Sequence, residues 1–291
     1  YYGNYVTSGA ARNKGKTMAM EALTAANAFL DLYDATGKQE YYDRAMNITD
    51  TYARLQAEDG SFPIKMDFYT GEPVNNVRAM LHPVLEYLQR LEQQYKITKY
   101  KEMRRKSQEW MKNGAMKTFD MTGQFEDGTV VGLEPYENLT NCTAAPYASY
   151  LLNKENVTEK ELQNAIDLIR LSEDQFTFWD TKPNEYGLRM MATPCVFEQY
   201  KYQKPVDHSA HNVAMAFLDL YEETGDKLAF AKAKALIDNM TVVQNKGNGQ
   251  IPTTWDFRTP YHDSNRSFWT NCTYAAVTAL LRMDKLTENE K

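Results

Sequence analysis

The chain has 291 residues, 43% hydrophobic and 25% charged, enough to bury a large core as one big domain or two ordinary ones. A net charge of −6 without clustered Lys and Arg excludes a nucleic-acid binder, because phosphate neutralisation needs such clusters. No apolar run approaches the ~20 residues of a membrane span, and three cysteines without CxxC spacing suggest neither a disulfide framework nor a zinc site.

The chain opens on YYGNYV, without methionine or a leader-like segment, and reads as processed or trimmed. A first helix is predicted from near residue 17, where Met20, Leu23, Phe29, Leu30 and Tyr33 recur at three- and four-residue steps. Past the turn DATGKQ, a partner helix carries Tyr42, Ala45, Met46, Tyr52 and Leu55 at the same spacing. A long segment, 58–74, leads to a second pair, whose helix starts near 75 and turns at QYKITK. Its basic stretch KITKYKEMRRK alternates with Glu and Tyr and reads as a solvated helix face. Segment 114–140 follows, containing the β-prone piece GTVVGL. A third pair starts near 141 and turns at KENVTE; segment 176–206 leads to a fourth, starting near 206 and turning at EETGDK. Asp226 is a candidate N-cap for that pair's second helix. After segment 245–269, a final helix begins near 270.

These elements are copies of one another. AFLDLYDATGKQEYYDRAM (28–46) matches AFLDLYEETGDKLAFAKAK (216–234), and EDGSFPIKMDFYTGEP (58–73) aligns with GNGQIPTTWDFRTPYH (247–262), pairing Gly60 with Gly249 and Asp67 with Asp256. The period is about 60–65 residues, the pattern of a curved array of helical hairpins with inner helices lining an axis and outer helices wrapping them. Turns from inner to outer helix are short; the returns are long, and loops of that length in compact domains are usually functional. All the returns must emerge at one end of the array, which is where the site is placed. The expectation is an all-α chain forming one domain over 1–291.

The repeat AFLDLYxxTG, an outer helix, then DGSF, resembles the six-hairpin glycosidase superfamily over most of residues 17–283. That resemblance implies an α/α toroid, activity on carbohydrates, and a secreted or periplasmic location. NEYGLRMMATPCVFEQY is similar to the inner-loop segment of unsaturated glucuronyl hydrolases. A complete six-hairpin toroid has twelve helices, whereas five inner and four outer are readable here. The chain therefore reads as a fragment, or as a smaller or open ring.

Glycosidic hydrolysis needs a proton donor for the leaving oxygen and a carboxylate that activates water or acts as nucleophile. The donor must stay protonated, so it belongs in an apolar pocket. Asp67 and Asp256, each followed by Phe, are candidates across the ring; alternatively each locks its loop through backbone N–H groups. The densest cluster, CVFEQYKYQKPVDHSAHNVAM (195–215), carries Glu198, Tyr200, Tyr202, Asp207, His208 and His211. Asp207 is either an acid or a helix cap, and His208 and His211 share one helix face. Asp67, Glu198, Asp207, Asp256 and His208 are the catalytic candidates. Tyr69, Arg189, Tyr202, His211, Trp255, Arg258, Trp269 and Asn271 are the substrate-binding candidates, with Trp255, Trp269 and Tyr69 as platforms for sugar rings or loop anchors. No metal and no cofactor are expected, and the expected partner is a poly- or oligosaccharide. A uronate lyase would use a Tyr or His base and groups neutralising the substrate carboxylate, and the same residues supply those. A binding or structural repeat domain is the third alternative.

T-N-C-T occurs at 140–143 and 270–273, holding two of the three cysteines, each time where an inner helix begins. Thr140 and Thr270 are expected N-caps, with Asn141 and Asn271 at the rim of the cleft and Cys142 and Cys272 buried and unbonded.

Overall fold

The computed structural model describes residues 14–74, 77–118, 141–183, 185–187, 191–198, 204–246, 249–255 and 268–289. The chain divides into two compact units, Tyr1–Leu133 and Glu134–Lys291.

In the first unit, α1 (Ala19–Thr36) pairs with α2 (Gln39–Leu55), and α3 (His82–Gln93) with α4 (Lys101–Asn113), followed by the short α5 (Ala115–Thr118). α1 also packs on α3. The core is Leu23, Ala26 and Leu30 of α1, Ala45 and Tyr52 of α2, Leu85, Leu88 and Leu91 of α3, and Met103 and Met111 of α4. Each such large side chain contributes about 1.5–3 kcal/mol by leaving water. Strands β1 (Lys16–Thr17) and β2 (Met66–Asp67) pair antiparallel and tie the start of the unit to the 56–81 return.

α3 begins at His82 rather than near 75. Residues 77–79 instead run alongside 62–64, with Ile64 N–H bonding the Val77 carbonyl and Ala79 N–H the Phe62 carbonyl. Pro83 in the first turn suits a helix start there, because its missing N–H is one no helix satisfies.

In the second unit, α6 (Asn141–Leu152) pairs with α7 (Glu159–Phe176), and α8 (Asp207–Thr224) with α9 (Lys227–Lys246); α10 (Thr270–Asn289) packs on α8 and α9. α6 and α10 both pack on α8. That leaves α8 buried on almost every side, from Ala210 through Phe217 to Leu220. Strands β3 (Thr177–Phe178) and β4 (Cys195–Val196) pair antiparallel within the return loop. Among the described residues every strand is two residues long; GTVVGL lies outside them.

The repeated LYxxTG is a helix-ending device. Gly37 and Gly225 have φ of 68° and 72°, and each donates its N–H to the carbonyl of the tyrosine four residues back, at 2.7 Å. Thr36 and Thr224 bond back to Leu32 and Leu220, and each also accepts the N–H two residues on. A left-handed residue at this position is nearly free for glycine alone. Asp226 then accepts the Leu228 N–H at 2.8 Å at the head of α9, as expected of a cap. The aligned Gly60 and Gly249 match too: both have positive φ, and both carbonyls accept a glutamine amide, from Gln56 and Gln244, at 3.1 Å.

Candidate active site

The N-termini of α6, α8 and α10 are stitched to the return loops of the second unit. Asn141 N–H bonds the Glu198 carbonyl at 2.9 Å, and Asn141 Nδ2 bonds the Ser209 carbonyl at 3.3 Å. Val206 N–H reaches the Val196 carbonyl at 3.0 Å, and Asp207 N–H reaches Thr253 at 3.0 Å. Trp255 N–H bonds the Pro205 carbonyl, and Trp269 N–H bonds Thr253 Oγ1, both at 2.9 Å. The return loops therefore meet the starts of the inner helices within this unit, as the asymmetry of loop lengths implies.

Asp207 is fully buried in the first turn of α8, with Val206 in the capping position. Its carboxylate does not cap the helix. Oδ1 accepts the Trp255 indole N–H at 3.1 Å, and Oδ2 has no partner among the described residues. Burial pushes the carboxyl up to about 8, against a smaller lowering by the Trp255 bond. Trp255 is itself 0% exposed. The expectation of an open stacking platform therefore does not hold for Trp255: its ring is spent on packing and its N–H on Asp207.

His208 and His211 do lie on one face, with ring centroids 6.1 Å apart. Burial lowers both, His211 to about 4 with a further push from His208, so both imidazoles are neutral near pH 7. His208 Nδ1 pairs with Asn212 Nδ2 at 3.3 Å, and His211 bonds the Ala275 backbone. His211 Nδ1 is buried without a partner among the described residues.

Cys272, at the head of α10, is buried and free. Burial, then the negative charge of Asp207 and more weakly of Glu198, push its thiol up to about 12, against hydrogen bonds from the His208 backbone and Thr253. Asn141 bonds the Glu198 carbonyl through its N–H and the carbonyl of Ser209, two residues past Asp207, through Nδ2, so Glu198, half-buried in its loop, and Asp207 lie in the same neighbourhood.

The twin T-N-C-T segments differ. Asn141 is fully buried, not at a rim, and its Oδ1 is a further buried acceptor without a partner among the described residues. Asn271 is exposed and accepts the Cys272 N–H at 3.0 Å. Thr270 is the first residue of α10 rather than its cap; Thr140 and the Cys142 side chain lie outside the described residues. Asn141, which bonds the Glu198 and Ser209 carbonyls, is a candidate that reading by type and spacing passes over, although the repeated motif marked it equally with Asn271. Trp269 keeps 44% exposure beside Phe268 at 43%.

Asp67 and Tyr69 belong to the first unit. Asp67 Oδ1 accepts the N–H groups of Tyr69 and Thr70 at 2.9 Å and the Thr70 hydroxyl at 3.2 Å. Those bonds, Thr70's first, hold its carboxyl below the usual carboxylate range. This is the loop-locking arrangement. Asp256, Arg189, Tyr202 and Arg258 lie outside the described residues. Among the described residues no three His, Cys, Asp or Glu side chains are grouped to hold a metal, and no helix is long and apolar enough to cross a membrane.

No protein-family model matches the chain, and no curated protein sequence matches it. Solved structures do. A D-mannose isomerase is similar with a TM-score of 0.66 at 15% identity, over 94% of this chain and 72% of that one. A family 76 α-mannanase from Bacteroides thetaiotaomicron gives 0.64 at 14%, over 95% and 72%. A sugar epimerase from a ruminal bacterium gives 0.61 at 11%, over 95% and 76%. At such identities the likeness establishes the fold alone, a mostly helical α/α toroid, with four helical hairpins and one further long helix among the described residues.

Proposed function

We propose that the protein is a carbohydrate-active enzyme, a glycoside hydrolase acting on poly- or oligosaccharide, with 1–291 working as one toroidal domain. The observation that carries this is the state of Asp207. A carboxyl held protonated at neutral pH by burial, and oriented by Trp255, is what a general acid must be. In this reading Oδ2, sealed from solvent in the structure, carries the proton and must be uncovered for it to pass to the glycosidic oxygen as the C–O bond breaks. Glu198 is the second carboxylate, activating water or attacking the anomeric carbon. Asp256, on the residue after Trp255, is the alternate for that role. Trp269, Asn271, Tyr202, Arg189 and Arg258 are assigned to substrate binding. The similar solved structures named for an α-mannanase, a mannose isomerase and a sugar epimerase support a sugar as the substrate class. Incubation with a glycan panel, followed by product analysis for the wild type, Asp207→Asn and Glu198→Gln, tests the reading. Loss of turnover in both variants is expected; full activity in both removes it.

The neutral pair His208 and His211 favours a second reading, β-elimination from a uronate, because an uncharged imidazole can abstract a proton. New ultraviolet absorbance from a C=C product would select it over hydrolysis.

A further inference from the structure

The loop that Asp67 locks does more than close a turn. It holds Phe68 and Tyr69 at 65% and 84% exposure, their rings 5.3 Å apart and perpendicular at 87°. Such exposure gives the core nothing, and exposed aromatic clusters in folded proteins mark binding surfaces. Nor does the sequence repeat keep an aromatic there. In the aligned segment DFRTP the position of Tyr69 is taken by Arg258, while Asp, Phe and Thr are kept.

Beside the pair lies a groove of about 510 Å³ in the first unit, lined by the loop and by Thr17, Asn47, Thr51 and Tyr52. Apart from the Asp67 carboxylate, its polar side chains are hydroxyls and one amide. Among the described residues lining it there is no Lys or Arg, and Asp67 is the one carboxylate. A flat aromatic face with neutral hydrogen-bonding groups matches a sugar ring, which offers C–H groups on its faces and hydroxyls around its edge. An anionic sugar would meet the negative charge of Asp67, and no Lys or Arg lines the groove itself, although Arg54 donates to the Thr51 hydroxyl at 3.4 Å.

We propose that this groove binds one neutral hexose unit of an oligosaccharide, with Tyr69 and Phe68 as the stacking platform and Asn47, Thr17 and Thr51 as hydroxyl partners. The proposal rests on the reading of the protein as carbohydrate-active and narrows its substrate to uncharged glycans. Asp67 is ionised and its acceptor oxygen is engaged by the loop's own N–H groups, so it serves here as a brace that presents the aromatics in one geometry.

The test is a titration of ¹⁵N-labelled full-length protein with mannotetraose and cellotetraose, and separately with trigalacturonate. Amide shifts at Thr70, Gly71 and 47–51 are expected with at least one neutral tetrasaccharide, with affinity falling tenfold or more in Tyr69→Ala. Tyr69 is exposed, so an unchanged melting temperature would confirm that the variant folds. Shifts of equal size with trigalacturonate, undiminished shifts in Tyr69→Ala, or no shift with either neutral sugar would overturn it. Turnover is scored separately. Local shifts without turnover would overturn the hydrolase reading alone, and turnover without shifts in this groove would overturn the groove alone.

Discussion

Trp255 donates its indole N–H to Asp207 Oδ1 at 3.1 Å, and both side chains are fully buried. The bond favours the charged carboxylate, while burial opposes it and wins. If protonated Asp207 is the acid, activity falls as pH rises through its ionisation near 8. Removing the indole donor in Trp255→Phe takes away the lowering contribution, so the alkaline limb of the pH–rate profile should move to higher pH. Asp207→Asn should lower turnover by about 10²–10⁴-fold, the usual worth of a general acid. A limb that stays in place in Trp255→Phe would separate Asp207 from that ionisation.

The same carboxyl affects stability with a definite sign. Between its ordinary value of 3.8 and the folded value of about 8, the folded state holds a proton that the unfolded state has lost. Stability from this group is therefore greatest below pH 4 and declines as pH rises to about 8. Asp207→Asn should flatten that slope, seen as a smaller difference in denaturation midpoint between pH 5 and pH 8. His211 acts oppositely: held neutral down to about 4, it lowers stability as pH falls below 6.5, and His211→Gln should relieve that acid-side loss.

Four glycines in left-handed conformations should respond unequally to alanine. At Gly37, Gly225 and Gly249 an added Cβ meets nothing within 4 Å, so only the backbone conformation is strained, at about 1 kcal/mol. At Gly60 the Cβ would sit 2.3 Å from the Lys106 carbonyl oxygen, which forces the 56–61 turn away from α4. Gly60→Ala should cost more than about 2 kcal/mol, and equal denaturation midpoints for Gly60→Ala and Gly37→Ala would refute this.

Arg282 of α10 reaches Asp219 of α8 at 2.5 Å and also pairs with Glu222. Asp219 is only 4% exposed, so Arg282→Met strands a buried acid and should destabilise by about 3 kcal/mol. Arg282→Met combined with Asp219→Asn should lose less than the two single losses added together, because the second change removes the stranded charge. Strict additivity in urea unfolding would contradict the coupling.

Cys272 should resist alkylation in the native protein. The thiolate is the reactive form, and a buried thiol pushed up to about 12 supplies almost none at pH 8. Rapid labelling of Cys272 by iodoacetamide under native conditions would show that the head of α10 opens.

The sequence alone determined the helices, their pairing and their period, because local rules suffice for these. Apolar spacing marks the buried stripe, and Thr–Gly after Leu–Tyr ends a helix through a left-handed residue whose bonds span only four positions. The inner helices accordingly start at 19, 82, 141, 207 and 270, with one displaced where 77–79 found partners in 62–64. The cluster Glu198, Asp207, His208 and His211 was also readable, since it is contiguous.

Tertiary structure decided the roles. Trp255 and Trp269 look alike in sequence, yet one is sealed against Asp207 and the other faces solvent. The same holds for Asn141 and Asn271, and for Asp67 and Asp207. One of those carboxyls is held ionised by the N–H groups of its own turn, and the other is protonated because the packing of α6, α8 and α10 with the 251–255 segment excludes water around it. Desolvation depends on what surrounds a group in space, and a one-dimensional pattern does not record that. T-N-C-T therefore marks where inner helices begin, and the packing around each copy makes one asparagine buried and the other exposed.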